Sequence, residues 1–272
     1  MVQTSTFIFR LSQGHLNLLT VCPRKFQYSY LEQLNTPIDP QKEEYQILGS
    51  RFHLLMQQRE MGLSIDNLLK ANPQLANWMT DFTKIAPEIF TTNINNINNH
   101  HQTFRESEHY RTLQIGDYLL TVIYDLLITD QNQAQILDWK TYPQPPKPEI
   151  LAQNWQTKLY MYILAETSNY LSENISMTYW FVQSKGQTKN IKFTYNAQQH
   201  QKTAQELNQL LNNLTKWVRD YEDNTPLPLK ESDQICESCQ FAVRCPRQKN
   251  KEITMNINQH FPNLENIAEV SL

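Results

Sequence analysis

The chain has 272 residues, which is enough to bury one sizeable hydrophobic core or two small ones. Its 24 Lys and Arg residues stand against 27 Asp and Glu residues, and the formal net charge of −3 excludes a protein that binds nucleic acid through bulk positive charge alone. Hydrophobic residues make up 40% and aromatic residues 11%, a content too high for a disordered chain. Only 5 glycines occur, which disfavours a glycine-rich phosphate-binding loop.

The sequence contains no run of apolar residues that approaches the length of about 18 needed to span a membrane. Residues 1–10 have neither a charged start nor an apolar stretch, so we expect no signal peptide, no membrane contact and a cytoplasmic location. In such a reducing compartment, clustered cysteines favour a metal site over disulfide bonds.

The first third of the chain shows the apolar periodicity of helices. Helices are predicted at residues 12–34 with a break at Pro23, at 41–61, and at 64–92 with a division near Pro73. The apolar face of the first segment is expected to comprise Leu16, Leu19, Cys22, Phe26 and Tyr30. The apolar stripe of the second is expected to comprise Tyr45, Leu48, Phe52 and Leu55. The polar, low-complexity residues 93–101 predict a loop.

Beyond this loop the period changes to that of extended strands. Strands are predicted at 104–113, 117–129 and 134–141, and a further hairpin at 175–183 and 188–195. Helices are predicted at 149–168 and 196–223, before a cysteine-bearing loop that follows Pro228. A single α/β domain at 1–249, with a helical N-terminal subregion and a poorly specified tail at 250–272, is the simplest account.

Two aspartates interrupt the apolar strands at 117–129 and 134–141. Alternation places Asp125 on the strand face of Leu119, Ile123 and Leu127. In the simplest antiparallel register Asp138 lies directly across from Asp125, with the two Cβ atoms about 5 Å apart. Like charges so placed repel each other, and a divalent cation between them would reverse the sign of that interaction.

Lys140 lies two residues after Asp138 and therefore on the same strand face. Carboxylate oxygens suit Mg²⁺ or Mn²⁺, and an ammonium group can orient or help activate a water and neutralise a phosphoryl oxygen. The three residues suggest metal-assisted hydrolysis of a phosphodiester. One carboxylate in a buried salt bridge with Lys140 and the other at a sheet edge would explain the same residues about equally well.

The pattern formed by Asp125 and the segment ILDWKT (136–141) resembles the PD-(D/E)XK nuclease superfamily, in its RecB-like branch. GSRFH (49–53) is similar to the Gly-x-x-x-His motif of that branch, and QTKLY (156–160) to its Gln-x-x-x-Tyr motif. The motifs occur in the family's order, and this joint agreement is more specific than any one of them. The resemblance implies a restriction-endonuclease-like core, which is a mixed central sheet flanked by helices, and DNA as the substrate.

The resemblance also implies roles for individual residues. His53, Asp125, Asp138 and the backbone carbonyl of Trp139 would hold Mg²⁺ or Mn²⁺. Lys140 would position the attacking water, and Gln156 and Tyr160 would steady the lysine and the substrate. The family often has an acidic residue on the preceding strand, where Glu108 is the preferred match over Glu106, although a solvated strand edge explains Glu108 nearly as well.

Three cysteines lie within ten residues, Cys236, Cys239 and Cys245, and the fourth, Cys22, precedes Pro23 far upstream. Four thiolates so grouped fit either a [4Fe–4S] cluster or Zn²⁺, and the spacing alone does not choose between them. The resemblance to iron–sulfur nucleases, which include CRISPR-associated exonucleases and the AddB-type nuclease domain, favours the [4Fe–4S] cluster. The cluster would clamp the two ends of the domain together.

Basic and aromatic residues provide candidate contacts for a DNA strand. The basic ones are Arg24, Lys25, Lys147, Lys158, Lys185, Arg244, Arg247 and Lys249. The aromatic ones that offer base-stacking faces are Tyr28, Tyr30, Trp139, Tyr142, Trp155 and Phe241. Solvated lysines and core aromatics explain most of these residues individually.

The predicted function is a Mg²⁺- or Mn²⁺-dependent exonuclease that acts on single-stranded or frayed DNA ends, in DNA repair, recombination or CRISPR adaptation. The sequence has no helicase motif, so an unwinding partner or a CRISPR adaptation protein would be another chain. The alternatives are a non-catalytic iron–sulfur scaffold that binds nucleic acid and a zinc-clamped hydrolase of another phosphodiester.

Overall fold

The computed structural model describes residues 8–34, 40–90, 103–142, 144–183, 189–230, 236–237 and 239–245. The predicted loop at 93–101 and the tail at 250–272 lie outside the described residues. Within the described part of the chain, no helix is both long and apolar enough to cross a membrane.

The described residues of the N-terminal region form one short strand and six α-helices. They are β1 (Phe9–Leu11), α1 (Gln13–Val21), α2 (Pro23–Phe26), α3 (Pro40–Glu60), α4 (Asp66–Ala71), α5 (Pro73–Ile85) and α6 (Pro87–Phe90), and a π-helical turn, Gln27–Leu31, follows α2. The predicted break at Pro23 is confirmed, since Pro23 is the first residue of α2. The predicted division near Pro73 is confirmed as well, and the side chain of Asn72 caps α5 by accepting from the backbone N–H groups of Gln74 and Leu75.

The described residues after α6 include five strands and three α-helices. They are β2 (Phe104–Ile115), β3 (Tyr118–Thr129), β4 (Ala134–Lys140), α7 (Pro148–Gln153), α8 (Trp155–Glu166), β5 (Ile175–Phe181), β6 (Lys189–Thr194) and α9 (Ala197–Glu222). The predicted helix at 149–168 is divided at Asn154, because the extended backbone of this residue ends α7 and its side chain accepts from Gln156 N to begin α8.

The strands of the described chain form one mixed sheet in the order β1-β3-β4-β5-β6, with β2 paired along β3. β1 runs parallel to β3 and β4 parallel to β5, whereas the β2–β3, β3–β4 and β5–β6 pairs are antiparallel. β1 pairs with β3 at Tyr118–Leu120 and β4 pairs with it at Leu126–Thr129. The middle of β3 is therefore left without a neighbour on that edge, and the candidate site lies there.

Helices cover both faces of this sheet and separate two hydrophobic clusters. One face packs against α1, α8 and α9, and contributes residues such as Leu120, Tyr124 and Ile136. The other packs against α3, α5 and α6, and contributes Leu126 and Trp139 among others. A mixed sheet between two helical layers is the α/β architecture that the sequence predicts.

Three positions differ from the sequence prediction. Tyr45 was expected in the apolar stripe of α3 but is 63% exposed, and Tyr30, expected on the apolar face of the first helical segment, is also exposed. Leu127 was expected on the face of Asp125. It packs in the opposite cluster instead, because the alternation of β3 is interrupted after Tyr124 and shifts by one residue.

Candidate active site

Asp125 lies where β3 and β4 separate. The ladder runs from Thr129↔Ala134 to Leu126↔Leu137, and one further step of the same register would align Asp125 with Asp138, as the sequence predicts. The strands part before that step, and the Asp125 carboxylate enters the gap. Its Oδ2 atom accepts a hydrogen bond from the Trp139 backbone N–H at 2.6 Å. A side chain thus satisfies a backbone donor that the ladder leaves unpaired.

Helix α3 packs on one face of the sheet and places the His53 side chain at this gap. Its Nδ1 atom lies 3.2 Å from Asp125 Oδ1. Burial alone would lower the pKa of His53, but the hydrogen bond to Asp125 and the negative charge of that residue outweigh burial and raise the pKa. The imidazole therefore tends to hold a proton at a position where the resemblance implies a metal ligand.

Gly49 allows α3 to approach the end of β4 closely. A Cβ atom placed on Gly49 would lie 2.8 Å from the Thr141 Oγ1 atom, which is closer than such contacts occur. The missing side chain therefore leaves room for Thr141. It also sets how closely α3 approaches the sheet at His53, which lies one turn further along the helix.

Glu108 enters the site from β2, at the position opposite Asp125 in the β2–β3 register, between the pairs Ser107↔Leu126 and His109↔Tyr124. Its φ angle of 51° lies in the left-handed region, which is rare for a residue other than glycine and costs on the order of 1 kcal/mol. Burial and the charge of Asp125 raise the pKa of Glu108. Strain and desolvation together are typical of a carboxylate held in place for a ligand.

Ligand atoms of His53, Glu108 and Asp125 all lie within 4.8 Å of one another. A nitrogen and two carboxylate oxygens at this spacing can hold one divalent cation. The donor set present here fits Mg²⁺ or Mn²⁺.

Asp138, Lys140 and Gln156 form a second group on the other side of the gap. Lys140 Nζ lies 2.5 Å from Asp138 Oδ1 and donates to Gln156 Oε1 at 3.0 Å. Gln156 Nε2 in turn donates to Asp138 Oδ2 at 2.6 Å. The ammonium of Lys140 is therefore the counterion of the buried Asp138 Oδ1 atom.

Burial controls the charge states of this second group. Asp138 is 2% exposed, and burial raises its pKa to about 6 although Lys140 acts in the opposite direction. For Lys140, burial alone would lower the pKa, but the adjacent Asp138 charge outweighs it and raises the pKa. Lys140 is therefore protonated at neutral pH and can act as a positive charge rather than as a base.

Tyr160 lies on α8 one turn after Gln156 and is 3% exposed. Its ring packs against that of Tyr124 at a centroid distance of 5.3 Å, and its backbone carbonyl accepts from the Tyr124 hydroxyl at 2.9 Å. Burial raises the pKa of Tyr160, and a hydrogen bond with the Gln156 side chain opposes this shift. The structure thus brings Tyr160 to Gln156.

The N-terminal and C-terminal cysteine segments lie against each other. Cys22 lies between α1 and α2. Tyr28, in the π-helical turn that follows α2, packs its ring against that of Phe241, with the ring centroids 5.3 Å apart. The Tyr28 hydroxyl donates to the Arg244 carbonyl at 3.5 Å. The turns around Phe241 carry Cys236, Cys239 and Cys245, and all four cysteines are partly exposed.

The burial of the side chains excludes some of the predicted contacts for a DNA strand. Four of the six aromatic residues are core residues instead: Tyr28, Trp139, Trp155 and Phe241. Tyr30 and Tyr142 remain exposed. Lys158 is paired with Glu206 at 2.9 Å and lies over the Trp155 ring, so its charge is already compensated. Lys185, Arg247 and Lys249 lie outside the described residues.

A sequence model of the PD-(D/E)XK nuclease superfamily matches residues 10–246, which is most of the chain. The chain belongs to this superfamily. The match spans every motif residue of the candidate site and all four cysteines. The carboxylates and the lysine of the site agree with a superfamily of nucleases that act on DNA. So does the distance between the candidate ligand atoms, which fits a bound cation.

Two solved structures are similar to this one to different degrees. A protein from Eubacterium rectale, named as a candidate exonuclease, has a TM-score of 0.50 at 11% identity, over 89% of this chain and 90% of that one. At this identity the likeness shows the fold alone. The crystal structure of SSO0001 matches with a TM-score of 0.38 at 14% identity, over 91% of this chain and 89% of that one, which is too low to support an argument. No curated protein sequence matches the chain.

Proposed function

We propose that the protein is a Mg²⁺- or Mn²⁺-dependent deoxyribonuclease that hydrolyses phosphodiester bonds from single-stranded or frayed DNA ends. The observation that carries this proposal is the position of a three-residue ligand cluster, His53, Glu108 and Asp125, across one gap from a lysine held by Asp138 and Gln156. Neither group alone is informative, but together they provide both a cation site and a fixed positive charge.

The residues divide the work of hydrolysis between them. A divalent cation at this site would polarise the phosphodiester and lower the pKa of a bound water. His53, Asp125, Asp138 and the Trp139 carbonyl would hold it, as the resemblance implies, with Glu108 as a further ligand. The protonated Lys140 would neutralise charge that develops on the phosphoryl oxygens and orient the attacking water. Gln156 fixes Lys140 and Asp138 by one hydrogen bond to each, and Tyr160 supports Gln156.

Replacement of Lys140 by Ala tests the proposal. The variant should keep its fold, and its cleavage rate should fall about 10²- to 10³-fold because a positive charge at the reacting phosphate is lost. The assay uses end-labelled linear and circular single-stranded DNA, with and without Mn²⁺, on protein purified anaerobically. Degradation of linear DNA alone would support end-dependent cleavage. Wild-type rates in the variant, or binding without cation-stimulated cutting in the wild type, would contradict the proposal and favour a scaffold role.

The four cysteines are proposed to bind a [4Fe–4S] cluster that clamps the ends of the domain. Support comes from the contact of Tyr28 with Phe241 and Arg244, which holds the segment of Cys22 against that of the other cysteines. In the chain-entropy treatment, a cross-link over so long a loop stabilises the fold by about 4–5 kcal/mol. Cys22→Ala should lower both iron content and the yield of soluble protein. Zinc without iron on elemental analysis, or an unchanged visible absorbance in the variant, would contradict the assignment.

A further inference from the structure

A groove of about 1110 Å³ extends from the ligand cluster along α3. One wall is a single face of the helix, on which Tyr45, Gly49 and His53 follow one another at intervals of one turn. The other wall includes Glu108, Thr141 and Tyr142. The helix geometry places the Cα atom of Tyr45 about 12 Å along the axis from that of His53. This length accommodates about three stacked nucleotides at 3.4 Å each.

The lining of the groove lacks the groups that bind phosphate. No lysine or arginine of the described chain lines it, and away from His53 and Glu108 its side chains are uncharged. Proteins bind the phosphates of nucleic acids mainly with lysine and arginine, so this part of the groove suits the bases and sugars of a strand. Bases present their faces only when they are unpaired, because duplex DNA keeps them stacked inside.

Two tyrosines supply aromatic faces in this groove. Tyr45 is 63% exposed and Tyr142 is 37% exposed. The Tyr142 ring meets Phe181 edge to face, with centroids 5.4 Å apart and the ring planes at 65°, so its orientation is fixed while one side remains open. Exposed, oriented aromatic rings beside a phosphodiester-cleaving site are typical platforms for base stacking.

We propose that Tyr45 and Tyr142 stack on unpaired bases next to the scissile phosphate and thereby make the groove selective for single-stranded nucleic acid. This inference rests on the proposed nuclease function and assigns its substrate selectivity to two residues that the ligand cluster does not include. Both act by positioning the strand and neither takes part in the chemistry.

Binding to a fluorescent single-stranded oligonucleotide and to its abasic analogue tests the inference. The abasic analogue keeps the phosphates and lacks the bases at the positions that enter the groove. The measurements use full-length protein that carries Lys140→Ala, with Mn²⁺ present, because this substitution slows cleavage of the oligonucleotide. In this background Tyr45→Ala and Tyr142→Leu should each weaken binding of the normal oligonucleotide about 5- to 150-fold and leave binding of the abasic one unchanged. Tyr45→Phe and Tyr142→Phe should retain wild-type affinity.

Ile47→Ala is the matched control, because Ile47 is 48% exposed on the same helix and lies outside the groove. The dependence of affinity on salt should be the same in all variants, since no phosphate contact is removed. An equal loss of affinity for both oligonucleotides, or no loss beyond that of Ile47→Ala, would overturn the inference. If otherwise wild-type protein cleaves no DNA with Mg²⁺ or Mn²⁺, the proposed function fails, whatever the tyrosine variants show.

Discussion

Protonation of Asp138 should set the affinity of the candidate site for a divalent cation. Burial raises the pKa of Asp138 to about 6, and the carboxylate must be ionised to act as a ligand. At pH 5, one unit below that pKa, about one Asp138 side chain in ten is ionised. Mn²⁺ should therefore bind about tenfold more weakly at pH 5 than at pH 8, which is a difference of about 1.4 kcal/mol in the free energy of binding. His53 and Glu108 also have raised pKa values, so tenfold is the minimum expected.

The same shift has a defined sign for stability without the cation. Because the folded-state pKa of Asp138 is raised above 3.8, its contribution to stability is present below pH 3.8 and is lost as the pH rises through about 6. Isothermal titration calorimetry with Mn²⁺ between pH 5 and pH 8 measures the binding effect, and urea unfolding of cation-free protein measures the stability effect. Asp138→Asn should flatten both pH profiles. A wild-type affinity that is independent of pH over this range would refute the reasoning.

Two further predictions concern backbone and packing at the site. Gly49→Ala gains about 1 kcal/mol in helix propensity but meets Thr141 Oγ1, an overlap that costs about 1–3 kcal/mol, so the double variant with Thr141→Ala should be more stable than the two single changes predict. Additive urea midpoints would contradict the close contact. At Glu108, whose backbone is left-handed, Asn should be more stable than Val by about 1 kcal/mol or more, and both should weaken Mn²⁺ binding. Equal midpoints for Asn and Val would contradict the backbone assignment.

Local sequence patterns were sufficient to predict the elements that carry the site. The polar turn between the strands of Asp125 and Asp138 fixes a hairpin register by its position, and the observed pairs obey it. The one-turn spacing of Gln156 and Tyr160 likewise predicts that they share a helix face, which the Gln156–Tyr160 hydrogen bond reflects. These features depend on residues close together in the chain.

The details that could not be predicted depend on contacts between distant segments. The alternation of β3 shifts at Asp125, and the β2 residue opposite Asp125, Glu108, adopts a left-handed backbone. No sequence signal marks a glutamate for that conformation. Tyr45 has the spacing of a core residue, but its side chain is exposed and lines a groove next to the site. The role of Gly49 is equally non-local, since its neighbour Thr141 lies at the end of a strand far along the chain.

The hydrogen bond from the Trp139 N–H gives the Asp125 carboxylate a structural role that is independent of catalysis. Alanine at this position would remove a prospective metal ligand and also orphan a buried amide, so an inactive Asp125→Ala protein could owe its defect to misfolding. Asparagine keeps an acceptor oxygen for the amide and is the cleaner diagnostic change. A related chain that had lost catalytic activity would still need aspartate or asparagine here to accept the hydrogen bond from the backbone amide. An aspartate at this position is therefore poor evidence that a related chain cuts DNA.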